Sequence, residues 1–242
     1  MIDMLSAAPH LALMCVVGEP TGLAVATGHK GRMAAHARFT GRAGHSALAP
    51  FAVNALYLAN DFITVLRDVQ ADLQAGGGQD ADYDVPYTTL YVGRISGGGA
   101  LNIVPHHCDL DFEIRNLAQD DPQEILQRLK RAAQQIADTA RTDAPEANVE
   151  IEVFNTYPGL DTPPGAAVVG FVKSLTGANG SYKVAYGTEG GLFNQRLGVP
   201  TVVCGPGDMA QGHKPDEFVS EAQLTACDVM LSNLVARLVE GV

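Results

Sequence analysis

The segment HCDLDFEIR, residues 107–115, limits the fold of this 242-residue chain more than any other stretch. Every second residue is apolar, and the residues between them are polar or charged. The apolar members are Cys108, Leu110, Phe112 and Ile114. Successive side chains of a strand point to opposite faces, so this pattern predicts a strand with one buried and one wet face. Such strands are typical of antiparallel sheets that are covered on one side only.

The segments around this strand predict a complete α+β domain. Strands are predicted at 33–39, 87–95, 106–115 and 149–154, and helices at 54–74 and 120–141. The second helix has an N-cap residue, Asp121, followed by Pro122 at the first helical position. The order from about 24 to 156 is strand, helix, strand, strand, helix, strand. This order predicts a ferredoxin-like domain.

The two ends of the chain have a different pattern, that of a parallel α/β domain. The apolar runs at 11–17 and 199–204 predict strands buried on both faces. The remaining predicted elements are helices at 165–176, from near Glu189 and from Ser220, and a strand at 182–186. We therefore expect three parts: 1–23 and 157–242 of an α/β domain, and 24–156 inserted between them. Because only one strand precedes the insert, the α/β domain looks partial, and we expect a truncated form.

Composition narrows the class of partner. A net charge of −11 repels phosphate backbones, so we expect no nucleic-acid partner. No apolar run approaches the 18 residues of a membrane span, and the N-terminus lacks the basic start of a signal peptide. The four scattered cysteines are typical of a cytoplasmic protein without disulfides. The expected partner is a small molecule or another protein.

Two polar residues follow predicted buried strands and are candidate metal ligands. Glu19 follows the first strand, and His213 lies beyond the strand at 199–204. Ligands of open α/β sheets collect at the carboxyl ends of strands, and a carboxylate and an imidazole there suit a divalent metal. The alternative is that Glu19 caps a turn and that His213 is a surface loop residue.

Other candidates lie in loops. His45 is flanked by small residues between a strand and a helix, and Asn102 ends a glycine-rich hairpin. The alternative is structural for both: a lone histidine in a loop is more often structural than functional, and asparagine is common in hairpin turns. YGTEGGLF (186–193) leads into a helix whose first N–H groups suit an anion, with Glu189 as a fixed negative charge. His107 and Asp109 form an H-x-D pair on one strand face, but no third ligand is nearby, so a metal there is not expected.

Together these stretches resemble the di-zinc amidohydrolases that include acetylornithine deacetylase, succinyl-diaminopimelate desuccinylase and the aminoacylases. The matching segments, in order, are CVVGEPTGL, GHKGR, FTGRAGHSA, GGGALNIVPHHCDLDFEIR, YGTEGGLF and VPTVVCGPGDMAQGHKPDEFV. They span almost the whole chain. The resemblance implies a partial zinc-hydrolase catalytic domain, interrupted by a lid that also forms a homodimer.

The resemblance also implies roles for individual residues. Glu19 and His213 would each bind one of two Zn2+ ions, for which Co2+ is a possible substitute. His45 would reach a partner subunit's active site and stabilise the oxyanion. The implied substrate contacts are Asn102, Arg115, Thr188, Glu189 and Gly190. The implied reaction is hydrolysis of an N-acyl amino acid, with N-acetylornithine as the expected substrate.

One departure from the family pattern weakens this expectation. The family's H-x-D motif, its bridging aspartate and its Glu-Glu pair precede GEPTG, and the 18 residues before Glu19 contain none of them. The alternatives are therefore a desuccinylase or dipeptidase of the same family, or a lid and dimerisation fragment without catalytic activity.

Overall fold

The computed structural model describes residues 12–212 and 214–241. In chain order the strands are β1 (Cys15–Val17), β2 (Val25–His29), β3 (Arg32–Thr40), β4 (Gly44–His45), β5 (Thr89–Gly97), β6 (Ile103–Val104), β7 (His107–Arg115), β8 (Asn148–Tyr157), β9 (Leu160–Asp161), β10 (Ser181–Val184) and β11 (Thr201–Val203). The helices are α1 (Ala55–Gly76), α2 (Pro122–Ala140), α3 (Ala167–Thr176), α4 (Gly190–Leu197) and α5 (Glu221–Glu240), with a 3-10 helix at Ser46–Phe51.

The chain divides into two compact units. The outer unit comprises the residues up to 31, the segment 81–84 and the residues from 157 onward, and the inserted unit comprises 32–80 and 85–156. The sequence places the first boundary at 23/24, whereas the units divide at 31/32. The difference arises because β2 is hydrogen-bonded into the sheet of the outer unit.

The sheet of the outer unit has the order β1-β11-β2-β10, with β9 also paired to β2. The pairs β1–β11 and β2–β10 are parallel, as expected for α/β structure. By contrast, β2 is antiparallel to β11 and to β9, so the sheet is mixed. Residues 18–24 are too few for the crossover of a dozen or more residues that a parallel connection needs, so β2 runs back beside β11.

The first strand differs from its prediction. An apolar run at 11–17 predicts a strand buried on both faces, but β1 covers only 15–17 and Val16 is 38% exposed. The prediction of full burial is wrong because β1 lies at the end of the sheet order, with β11 as its neighbour among the described residues.

The inserted unit is the predicted ferredoxin-like βαββαβ fold. Its sheet has the order β5-β7-β3-β8, and β7 is antiparallel to both β3 and β5. The alternation in β7 is confirmed, since its apolar residues are buried and the residues between them are partly exposed. Helices α1 and α2 cover the apolar face, where Phe62 packs 5.7 Å from the rings of both Phe39 and Phe112. The predicted Asp121 N-cap accepts a hydrogen bond from the Gln123 N–H at 2.8 Å.

The loop after α1 contributes a buried aromatic residue to the outer unit. Tyr83, in the segment 81–84, is 7% exposed. Its ring centre lies 5.6 Å from Lys30 Nζ and 5.5 Å from Lys183 Nζ. Two ammonium groups at these distances attract the ring through cation–π interactions. The sequence predicts a flexible loop at 75–82, and this buried anchor directly after it was not predicted.

No helix in the described parts of the chain combines the length and apolar character needed to cross a bilayer.

Candidate active site

Two loops at the carboxyl ends of β1 and β11 are joined by hydrogen bonds, and the first of them carries Glu19. The Thr21 N–H donates to the Gly205 carbonyl at 3.1 Å, and the Gly22 N–H donates to the Gly207 carbonyl at 2.7 Å. In return, the Gly205 N–H donates to Thr21 Oγ1 at 3.1 Å. The fold therefore brings the Glu19 loop against the start of the segment that leads to His213. His213 itself lies outside the described residues.

Gly205 makes the close approach of these loops possible. A Cβ at this position would lie 2.2 Å from the Gly18 carbonyl oxygen and 2.7 Å from the Glu19 carbonyl oxygen. Real Cβ atoms do not approach backbone oxygens so closely, so any other residue would push the Glu19 loop away. The first glycine of GPGD thus has a specific role at the candidate site.

A pocket of about 210 Å³ opens beside Glu19 in the outer unit. It is lined by Glu19, Tyr157, Gly187, Thr188, Glu189 and Leu192. The GEPTG and YGTEGG segments, which are far apart in sequence, therefore form walls of one pocket. β1 and β10, which precede these segments, are separated by two strands in the sheet, so the shared pocket does not follow from neighbouring strand ends.

The YGTEGG segment contributes one exposed charge to this pocket. Thr188 is 7% exposed, and its Oγ1 accepts a hydrogen bond from the Gly190 N–H at 3.0 Å. Gly190 is itself buried, so this N–H bonds within the protein. Glu189, by contrast, is exposed. Of the three predicted substrate-binding residues here, Glu189 is the one that presents a charged side chain.

Two tyrosines hold the Glu19 loop from β10 and the residues after it. The Tyr186 hydroxyl donates to the Pro20 carbonyl at 2.6 Å, and the Tyr182 hydroxyl donates to the Thr21 carbonyl at 3.3 Å. Burial raises the pKa of Tyr186 to about 12, and the neighbouring charges of Tyr182 and Glu19 add to this effect. The phenol therefore stays protonated and acts as a donor. Sequence reasoning missed both tyrosines, because nothing in their spacing marks a hydrogen bond to a distant loop.

The described residues do not form a metal site on their own. No group of three or more His, Cys, Asp or Glu side chains lies close enough together within the described ranges to hold a metal ion. Glu19 supplies one carboxylate, and one ligand is too few for the four-coordinate geometry of zinc.

The inserted unit brings His45 and Asn102 together. β4 pairs with β6, which places His45 opposite Ile103, and the Ser46 N–H donates to the Asn102 carbonyl at 3.0 Å. His45 is exposed, and its Nδ1 accepts a hydrogen bond from the Ala47 N–H at 3.2 Å. His45 thus caps the short 3-10 helix through Nδ1, while Nε2 is the ring nitrogen that remains for another partner.

Arg115 is the last residue of β7, at the end of the strand away from Asn102. A carboxylate orients its side chain. Its Nε is 2.9 Å from Glu113 Oε1, while Arg32 Nε is 2.7 Å from Glu113 Oε2. Burial alone would raise the pKa of Glu113, but Arg115 and Arg32 hold it below its usual range. Glu113 therefore stays charged and fixes the Arg115 guanidinium.

Both carboxylate oxygens of Asp109, in the H-x-D pair on β7, lie within hydrogen-bonding distance of histidines. His107 Nε2 lies 2.9 Å from one oxygen of Asp109, and His36 Nε2 lies 3.0 Å from the other. Burial would raise the pKa of Asp109, but these two imidazoles hold it below its ordinary value. His36 also bonds to Asp111 through Nδ1 at 2.7 Å. The pair is part of a hydrogen-bonded network on the wet face of the sheet.

Comparison with known proteins shows which proteins the chain resembles. Residues 27–141 match the family model described as "Peptidase dimerisation domain". The chain is 32% identical over 234 residues to an acetylornithine deacetylase from Myxococcus xanthus, covering 93% of this chain and 58% of that protein. An acetylornithine deacetylase from Pasteurella multocida is 31% identical, with 96% of this chain and 59% of that protein covered. The chain thus spans somewhat more than half the length of the curated relatives that it matches.

Solved structures superpose on most of the chain. A tripeptidase from Staphylococcus aureus superposes with a TM-score of 0.71 at 21% identity, covering 92% of this chain and 56% of that one. An aminopeptidase, PepT, from Bacillus cereus gives a TM-score of 0.72 at 18% identity, covering 98% and 61%. The predicted fold, an α/β unit with an inserted α+β unit, is therefore confirmed.

Proposed function

We propose that this chain acts in the hydrolysis of an N-acyl amino acid amide bond, with N-acetylornithine as the substrate, a step of arginine biosynthesis in the cytoplasm. One observation carries the proposal: more than 90% of the chain aligns with acetylornithine deacetylases. The GEPTG and YGTEGG segments of the outer unit also line a single pocket, which suits a small-molecule substrate. The four cysteines are free thiols, which suits a reducing compartment.

Glu189 is the proposed reader of the substrate side chain. It is exposed at the pocket, and a carboxylate there pairs with the terminal ammonium of ornithine. Arg115, held by Glu113, and Asn102 are the proposed contacts from the inserted unit. A neutral side chain of the same length would gain nothing from Glu189, so the charge sets the preference.

An exchange of Glu189 for Gln tests this assignment. Binding of N-acetylornithine and of N-acetylnorleucine, which has a methyl group in place of the ammonium, is measured by calorimetry on the wild-type chain and on Glu189→Gln. Loss of a charge-assisted bond of about 1.5–3 kcal/mol should weaken N-acetylornithine about 10- to 150-fold. N-acetylnorleucine should be unaffected. Equal losses for both ligands would refute the role of Glu189.

Glu19 and His213 are the proposed zinc ligands supplied by this chain. Because the described residues alone do not fit a metal site, the remaining ligands would have to come from residues beyond the described ranges or from another chain. Bound Zn2+, or Co2+ in its place, would supply an activated water. Metal analysis of the purified 242-residue chain is expected to show zinc well below one ion per chain. Tight stoichiometric zinc would contradict this proposal.

The proposed assembly is a homodimer formed through the inserted unit. Support comes from the dimerisation-domain match and from a cluster of exposed apolar residues next to His45 and Asn102. These residues are Leu48, Phe51, Tyr57, Leu101 and Ile103. Some of them line a groove of about 620 Å³, which a partner's inserted unit would fill next to His45, the proposed oxyanion-stabilising residue.

The dimer is tested by light scattering after size exclusion. Leu101→Asp places a charge in the cluster and should give a monomer. Phe154→Asp is the matched control, since Phe154 is also exposed, at 60%, but lies on β8. A Leu101→Asp protein that stays dimeric would refute the proposed interface.

A second candidate function is a lid and dimerisation protein without catalysis. The observation that favours it is the absence of a three-ligand metal group among the described residues. Under this alternative the chain dimerises normally but shows no zinc uptake and no hydrolysis of N-acetylornithine when zinc is supplied.

A further inference from the structure

We propose that Tyr186 is a positioning residue that fixes the distance between Glu19 and Glu189 across their shared pocket. The inference goes beyond the proposed hydrolysis but rests on it in one respect, namely that these two carboxylates face a ligand. Tyr186 does not line the pocket itself. It acts through the backbone on either side.

The hydrogen bond from Tyr186 links the two pocket walls, and each of its two residues is adjacent in sequence to a residue that lines the pocket. Its hydroxyl reaches the carbonyl of Pro20, which directly follows Glu19, at 2.6 Å. On its own side, Tyr186 directly precedes Gly187, the first residue of the other wall. A movement of either wall relative to the other must therefore stretch or break this hydrogen bond.

The chemistry of Pro20 makes this bond important for the loop. Proline has no N–H, so the carbonyl is the one backbone group through which Pro20 can be hydrogen-bonded. The neighbouring residue is held differently: Thr21 donates its N–H to Gly205 and its hydroxyl to Ala24. The hydrogen bond from the Tyr182 hydroxyl to the Thr21 carbonyl, at 3.3 Å, therefore holds a residue that other hydrogen bonds already fix.

Electrostatics supplies the reason why such a restraint is needed. Glu19 and Glu189 line one pocket of about 210 Å³, and two like charges in a small, partly buried space repel each other. Without a cationic ligand, this repulsion tends to open the pocket. A neutral donor that ties one wall to the other opposes the repulsion without occupying the site.

The test compares amide hydrogen exchange in the wild-type chain and three variants. Tyr186→Phe removes the hydroxyl, and Tyr182→Phe removes the equivalent hydroxyl on the next carbonyl of the same loop. In the third variant, residue 186 is p-aminophenylalanine, whose amino group restores a donor at the same place. The probes are the amides of Thr21, Gly22 and Gly190, with the buried strand β11 as an internal reference for global stability.

Tyr186→Phe should speed exchange at the three probe amides by about three- to tenfold, with no change in β11. Tyr182→Phe should change them less than twofold, and p-aminophenylalanine should restore the wild-type rates. The proposal is overturned if Tyr186→Phe leaves the probes unchanged, if it speeds β11 equally, or if the amino variant fails to restore them.

Failure of the proposed function would look different. Glu19→Gln keeps the Tyr186–Pro20 bond and removes the repulsion across the pocket, so exchange at Gly22 and Gly190 should not exceed the wild-type rate, whatever the substitution does to ligand binding. Loss of the effect of Glu189→Gln on N-acetylornithine binding would count against the substrate assignment, while the exchange rates would still decide the role of Tyr186.

Discussion

Gly187→Ala is the sharpest test of how the candidate pocket is built. A Cβ at this position would lie 2.3 Å from Cε2 and from the hydroxyl oxygen of Tyr157, and 2.5 Å from Cζ. Non-bonded carbon atoms pack at about 3.5–4.0 Å, so the tyrosine ring has to move by more than about 1 Å. Tyr157 lines the pocket together with Gly187, so the substitution should disturb both stability and the pocket wall.

The expected cost follows from overpacking, which typically destabilises by about 1–3 kcal/mol. Each kcal/mol should lower the melting temperature by roughly 2–4 °C. Gly180→Ala is the matched control, because no heavy atom lies within 4 Å of its Cβ position. That variant should change the free energy of unfolding by less than about 0.5 kcal/mol or stabilise the protein slightly.

A double-mutant cycle identifies the cause. In a Tyr157→Ala background the space for the new methyl group is already present, so adding Gly187→Ala should cost close to nothing. The expected coupling between the two positions is about 1–3 kcal/mol, measured from denaturant midpoints of the four proteins. If Gly187→Ala destabilises equally in both backgrounds, or no more than Gly180→Ala, the assigned clash with Tyr157 is incorrect.

Two further outcomes concern titration and reactivity. Burial lowers the pKa of His29, so the unfolded chain takes up a proton at a higher pH than the folded one. The free energy of unfolding should therefore fall as the pH drops below about 6.5, by roughly 1.4 kcal/mol for each unit by which folding lowers the pKa. In His29→Gln the denaturant midpoint should change less between pH 7 and 5 than in the wild-type protein. The same change in both proteins would contradict this role of His29. Burial raises the pKa of Cys204 to about 11, so Cys204 should resist brief alkylation while the less buried Cys227 reacts, as read by mass spectrometry. Equal labelling of both thiols would count against the packing around Cys204.

The inserted unit could be predicted from sequence because its pattern is local and regular. The alternation in β7 depends on one face being buried, and each apolar residue carries that information itself. The N-cap at Asp121 is equally local, since its partner Gln123 is two residues away. Ser220 caps the last helix in a similarly local way, accepting a hydrogen bond from the Gln223 N–H. The Gln223 side chain, however, accepts from the Gly207 N–H, an interaction between distant loops.

The candidate site was predictable only in part, for the same physical reason. The positions of Glu19 and Glu189 follow from strand ends, which a sequence pattern reveals. Their common pocket depends on pairings such as β2 with β11 and on the bond from Tyr186 to Pro20, and these join residues far apart in sequence. The exposure of Val16 was not predicted. An apolar run indicates residues that can be buried, but it does not indicate which strand lies at the edge of a sheet.

The buried Tyr83 has a consequence for how separable the inserted unit is. The chain leaves the outer unit at 31 and returns at 157, yet the outer unit also uses residues 81–84. A shortened protein that joins residue 31 directly to 157 would lose the aromatic ring that both Lys30 and Lys183 approach. Insert and host are therefore not interchangeable modules: a graft of residues 32–156 into another host would carry Tyr83 to a place without the two lysines that stabilise it.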